Sequence, residues 1–158
     1  MSMMRFVAAF AVAVTLGLPA RAAVDIQEVT SPGGIKAWLV EDHNIPFAAL
    51  EVRFRGGSSV EPADKRGAVN LMTALIEEGA GDLDAQGFAA ARDALAAEFR
   101  FSSDADGVSV SSRFLTENRD QALALLQSAL IQPRFDQDAV DRVREQVLAG
   151  LRSDAKDP

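Results

Sequence analysis

The chain has 158 residues, 48% of them hydrophobic, a formal charge of −7 and no cysteine. The absence of cysteine excludes disulfides, thiolate metal sites and cysteine nucleophiles. The acidic balance argues against a nucleic-acid partner, because nothing here neutralises a run of phosphates; it reads instead as a well-solvated surface.

Met1 to Arg5 is short and basic, Phe6 to Leu18 is apolar, Pro19 breaks the run, and Ala20-Arg21-Ala22 offers small residues at a signal-peptidase spacing. This is the pattern of a secretory signal peptide; the apolar run is too short to cross a bilayer comfortably. Cleavage after Ala22 leaves 136 of the 158 residues, a length normal for one domain. Losing Arg5 and Arg21 takes the charge from −7 to −9. An exported, cysteine-free domain held only by its core suits a Gram-negative periplasm. No later segment is long and apolar enough to span a membrane.

Strand signals follow the turn Ser31-Pro32-Gly33-Gly34, where Ile35, Ala37 and Leu39 alternate with Lys36, Trp38 and Val40. After a second turn at Asp42-His43-Asn44 and Pro46, Leu50, Val52 and Phe54 point one way and Glu51, Arg53 and Arg55 the other, the period of a half-buried antiparallel strand. Gly56-Gly57 ends it. Arg66 to Glu78 reads as a helix, with Val69, Met72 and Ile76 on one face, broadened by Leu71 and Leu75, and Gly79 and Gly81 as its stop. Asp84 is placed to cap a second helix with a Phe88, Ala91, Leu95 stripe.

Phe99 and Phe101 then mark one strand and Val108, Val110, Ser112 and Phe114 another, joined at Asp104-Ala105-Asp106-Gly107. Thr116 is expected to cap a helix carrying Ala122, Leu126 and Leu130 that stops before Pro133. Asp136 is expected to cap the last, with Val140, Val143, Val147 and Leu151 on one face. Runs of strands and helices in this order imply an α+β fold, an antiparallel-rich sheet with helices packed on one face. No closing strand follows the last helix, so the domain is expected to be incomplete at its C-terminus and part of a longer chain.

Four stretches carry a resemblance: Gly67 through Leu75 closing at Gly79; Arg53-Phe54-Arg55-Gly56-Gly57-Ser58 with Glu61; Val108 to Arg113; and Leu130-Ile131-Gln132-Pro133-Arg134-Phe135. Taken in chain order, they resemble the pitrilysin/insulinase metallopeptidases, the inverzincins, over roughly Ile26 to Pro158. That family carries an inverted H-x-x-E-H zinc motif on a helix. The resemblance implies a pitrilysin-like half-domain over residues 23–158.

The departures from the motif are specific. Its five positions fall on Asn70, Leu71, Met72, Thr73 and Ala74: the first histidine on Asn70, the general-base glutamate on Thr73, the second histidine on Ala74. The third ligand, a glutamate of the last helix, falls near Ala149 or Gly150. Catalytic zinc needs three protein ligands and an open position for water, and the glutamate takes a proton from that water. None of these side chains does this work, so no catalytic residue, metal ligand or cofactor is expected in this chain. The resemblance implies an inactive member that helps enclose a chamber and bind peptide beside an active, zinc-bearing subunit, a heterodimeric arrangement. The alternative is a structural or assembly protein of the same fold with no part in proteolysis; a third reading puts a catalytic half downstream.

Other candidates have plainer explanations. His43, the only histidine, lies in a turn and is expected to be solvated. Glu77 and Glu78 suggest a hard-cation site, but consecutive helical residues diverge, and a solvated helix end is expected. Glu145 lies a turn before the expected third ligand, and Arg142 and Arg144 suggest surface pairing for it. Ser58 and Ser59 lack the G-x-S-x-G pattern. Asp104 and Asp106 lack the other ligands of a calcium loop and fit hairpin-turn chemistry.

Overall fold

The computed structural model describes residues 25–154, which fall into two compact units, residues 25–44 and 45–154. The expected signal peptide, residues 1–22, and the tail Ala155–Pro158 lie outside the described residues. Among the described residues no helix is long and apolar enough to cross a membrane.

The first unit is a hairpin of β1 (Ile26–Thr30) and β2 (Lys36–Val40), antiparallel with Thr30 opposite Lys36. Its turn is closed by Gly34 N–H donating to Ser31 O at 2.9 Å and Ile35 N–H donating to Ser31 Oγ at 3.0 Å, the local side-chain bonding that makes serine a turn residue. The pattern identified β2 but not β1, in which the apolar residues Ile26 and Val29 fall on opposite faces and give no alternation to read. His43 is exposed, as expected, with Nε2 3.2 Å from a Glu41 carboxylate oxygen.

The second unit runs β3 (Phe47–Arg55), α1 (Ala68–Leu75), β4 (Gly79–Ala80), β5 (Leu83–Asp84), α2 (Ala85–Ala94), β6 (Glu98–Ser103), β7 (Gly107–Leu115), α3 (Arg119–Ile131) and α4 (Gln137–Asp154). β3, β7 and β6 form an antiparallel sheet with β7 in the middle. Val110 faces Val52 on one side and Phe101 on the other. Strand periodicity puts Val108, Val110, Ser112 and Phe114 on one face, and all four are buried. Phe88 of α2 and Leu95 just after it, Ala122, Leu125, Leu126 and Ala129 of α3, and Ile76 close over that face. Phe88 is 0% exposed, its ring centroid 6.3 Å from that of Phe99. Ser112 Oγ is buried among them with no hydrogen-bond partner. On β3, an edge strand, Val52 is half-buried, but Phe54 remains 49% exposed.

Several local expectations change. The helix expected over Arg66–Glu78 is only Ala68–Leu75; Ile76 to Glu78 turn away from it into a short β4–β5 hairpin that the glycines had suggested only as a stop. Its buried side is Leu75 and Thr73, with Met72 exposed. Asp84 caps α2 as expected, accepting from Gly87 N–H at 2.8 Å. Thr116 is not a cap: it opens a 3-10 turn, and its hydroxyl donates to Pro46 O. Leu130 is exposed, with Leu125 and Ala129 completing the α3 stripe instead. Asp136 precedes α4 and its carbonyl accepts from Val140 N–H at 2.9 Å, while its carboxylate pairs with Arg134 at 2.7 Å. Val143 of α4 is buried and Val140 and Val147 flank it; the side chain of Leu151 lies outside the described set.

The loop after β3 shows why its residues are small. Gly56, Ser58 and Ser59 donate to the carbonyls of Asp106, Asp104 and Ala105. A β-carbon on Gly57 would run into the Asp104 carbonyl. The turn at 104–107 is fastened by Asp104, whose carboxylate accepts from Asp106 and Gly107 N–H and pairs with Arg53 at 2.7 Å. This is the hairpin-turn role expected for it.

Helix α1 begins at Gly67, a left-handed residue with φ 91° and no side chain to cap the helix. Glu61 reaches back across the loop instead, accepting from Val69 N–H at 2.7 Å and Gly67 N–H at 2.8 Å. Those bonds, Val69 first, hold its carboxyl below the ordinary value of 4.5. A depressed folded-state pKa means the stabilisation is fully present above pH 4.5 and is lost as pH falls through the lowered value. Glu61→Gln is therefore expected to lower the melting temperature at pH 7, with the gap from wild type narrowing as the pH falls through the lowered value. Phe88→Ala is expected to cost about 3–5 kcal/mol by denaturant titration, the range for emptying a fully buried aromatic site.

Candidate functional site

Helix α1 presents Asn70 and Ala74 on one exposed face, one turn apart. Thr73 points inward: it is buried, and its hydroxyl donates to Asn70 O at 2.9 Å. On α4, Ala149 and Gly150 are exposed, with open space where a Gly150 β-carbon would sit. These are the five positions singled out from the sequence. Together they offer one amide, one internally bonded hydroxyl and no imidazole or carboxylate. That donor set does not fit a catalytic zinc ion, which takes nitrogen, sulfur or carboxylate ligands. Among the described residues no group of three or more His, Asp or Glu side chains is arranged to hold a metal.

The carboxylates beside the motif are not a solvated helix end. Glu77 pairs with Arg92 of α2 at 2.7 Å, both side chains 28% exposed. Burial, the largest influence, pushes the Glu77 carboxyl up, although Arg92 pulls it the other way. Glu78 pairs with Arg142 of α4 through two bonds, at 2.6 and 3.2 Å. Arg142 is thus committed to Glu78 and not to Glu145, correcting the surface pairing expected there. Neither contact had a sequence signal, since the partners lie 15 and 64 residues apart.

Beneath these pairs Leu75 packs with Ala139 and Val143, flanked by Leu71, Val140 and Val147. Helix α1 also packs against β6, whose second edge is unpaired among the described residues. The sheet face away from the core is polar. Glu51, Glu98, Arg100, Ser111 and Arg113 line a shallow depression of about 330 Å³ there. The Ser111 hydroxyl donates to Glu51, and the Arg113 guanidinium sits 5.6 Å from the centroid of Phe47.

Comparison with known proteins agrees with this geometry. The profile of the insulinase family, peptidase family M16, matches residues 36–156. A non-peptidase homologue from Helicobacter pylori, YmxG, is 29% identical over 149 residues, covering 94% of this chain and 34% of that protein. The crystal structure of a peptidase M16 inactive domain from Pseudomonas fluorescens superposes with a TM-score of 0.78 at 28% identity, covering 85% of this chain and 33% of that one. A Helicobacter pylori protease structure shares the fold at a TM-score of 0.66 and 20% identity, covering 82% of this chain and 31% of that one. The chain spans about a third of the length of each of these relatives. With its ordered motifs, its α+β fold and a family match over most of its length, the chain belongs to the insulinase family of peptidases, family M16.

Proposed function

We propose that this chain is an exported, non-catalytic M16 subunit that contributes peptide-binding and chamber-forming surface beside an active, zinc-bearing partner of the same family. The reading is carried by the side chains at the positions that the resemblance assigns to the zinc site: Asn70, Thr73, Ala74 and Ala149–Gly150 offer no imidazole or carboxylate, within a chain that matches the family over residues 36–156. The names of the relatives, a non-peptidase homologue and an inactive domain, support it. At these positions no side chain would hold a metal to polarise the peptide carbonyl or take a proton from water. The chain itself needs no cofactor; the zinc belongs to the partner. The leader-like residues 1–22 support export to the periplasm.

What this chain supplies is binding. An extended peptide adds to an unpaired strand edge through main-chain hydrogen bonds, and alternate side chains give specificity. The β6 edge is such a template. Along it Glu98, Arg100 and Ser102 alternate with the core-facing Phe99, Phe101 and Ser103, so a bound peptide meets a charged face on one side.

Three measurements test the reading. The chain alone is expected to cleave no peptide, whereas mixing with a zinc-bearing M16 subunit gives a complex by size exclusion and more peptidase activity than that subunit alone. A peptide added to the complex is expected to slow hydrogen exchange at Glu98–Ser103. Activity unchanged by omitting this chain sinks the proposal and favours a purely structural subunit. Finally, Asn70→His/Thr73→Glu/Ala74→His is expected to remain inactive, because α4 still lacks the third ligand.

A further inference from the structure

We infer that helices α1 and α4 are joined by a metal-independent clamp, the Glu78–Arg142 ion pair set over the Leu75, Ala139, Val143 cluster. The inference rests on the reading of Asn70, Thr73 and Ala74 as a metal-free site, and goes beyond it by naming what holds the two helices together. Both helices carry positions of the degenerate motif, so a metal bound by the motif would link them. The side chains at those positions make no such link: Asn70, Ala74, Ala149 and Gly150 are exposed, and Thr73 bonds within its own helix.

The link lies just past the C-terminal end of α1. Immediately after its last turn, Glu78 takes both ends of the Arg142 guanidinium, at 2.6 and 3.2 Å. A planar fork on a carboxylate fixes orientation as well as distance. Glu78 is the more buried partner, its side chain 20% exposed against 48% for Arg142, so water competes less for the pair than on an open surface. The arginine flanks the buried residues Ala139 and Val143, which pack on Leu75. The adjacent Glu77–Arg92 pair holds the same turn to α2. The end of α1 is thus pinned to two helices by consecutive carboxylates, and no ion is needed for either contact.

Thermal melts of the full chain separate the possibilities. The expected result is a melting temperature unmoved by EDTA or by added zinc, and lowered by about 4 °C in Arg142→Ala. Arg142→Lys, which keeps the charge but loses the fork, is expected to fall between and guards against an alanine variant that does not fold. The exchange Glu78→Arg/Arg142→Glu is expected to recover most of the loss, because it restores the pair with the same atoms reversed. A rise in melting temperature with zinc, or a fall with EDTA, overturns the metal-free reading and this inference together. No zinc response combined with wild-type melting of Arg142→Ala and Arg142→Lys overturns the clamp alone.

Discussion

The larger unit depends on β7 being flanked on both sides. Because β3 and β6 both pair with it, its main-chain groups are satisfied and one whole face can be given to the core. Period-2 alternation then puts Val108, Val110 and Phe114 under α2 and α3 and leaves Ser109, Ser111 and Arg113 on the opposite, polar face. Everything that positions the candidate site is hung from this strand. The 104–107 turn fixes where β6 ends, the Gly56–Ser59 loop is bonded to that turn, and α1 lies against β6 beyond it.

Features governed by local periodicity were legible in the sequence. The four buried residues of β7, the Asp84 cap with its Phe88 stripe, and the valines of α4 were named from spacing alone. Features that depend on partners distant in sequence were not. Strand β1 has no apolar alternation of its own and exists through its pairing with β2. The expected end of α1 falls three residues too late because Glu77 and Glu78 are good helix formers; Ile76 instead joins the sheet core, and Glu77 and Glu78 pair with Arg92 and Arg142. Thr116 has the chemistry of a cap, yet its hydroxyl finds Pro46, 70 residues away.

The site was legible in a different sense. A motif with fixed spacing carries its geometry with it, so the resemblance alone points to Asn70, Thr73 and Ala74. The structure adds the orientation of each: two of the side chains face solvent and Thr73 is turned into the protein. What no spacing revealed is that the neighbouring carboxylates bind arginines. Glu77 and Glu78 read as surface charge because helical position was the only information available; the fold makes them the ends of two inter-helix contacts.

The incomplete cover over β3 has a consequence for the behaviour of the molecule in solution. Phe47, Leu50 and Phe54 remain exposed along a nine-residue strand paired on one side only among the described residues. A greasy ribbon with unspent amides is adhesive, and natural proteins blunt such ribbons with charge, proline or a covering element. Here Glu51, Arg53 and Arg55 alternate with the apolar residues and supply part of that protection. Arg53 spends its charge on Asp104, which leaves Glu51 and Arg55 as the gatekeepers against strand-to-strand stacking. Along this strand, then, resistance to edge-to-edge pairing rests on Glu51 and Arg55.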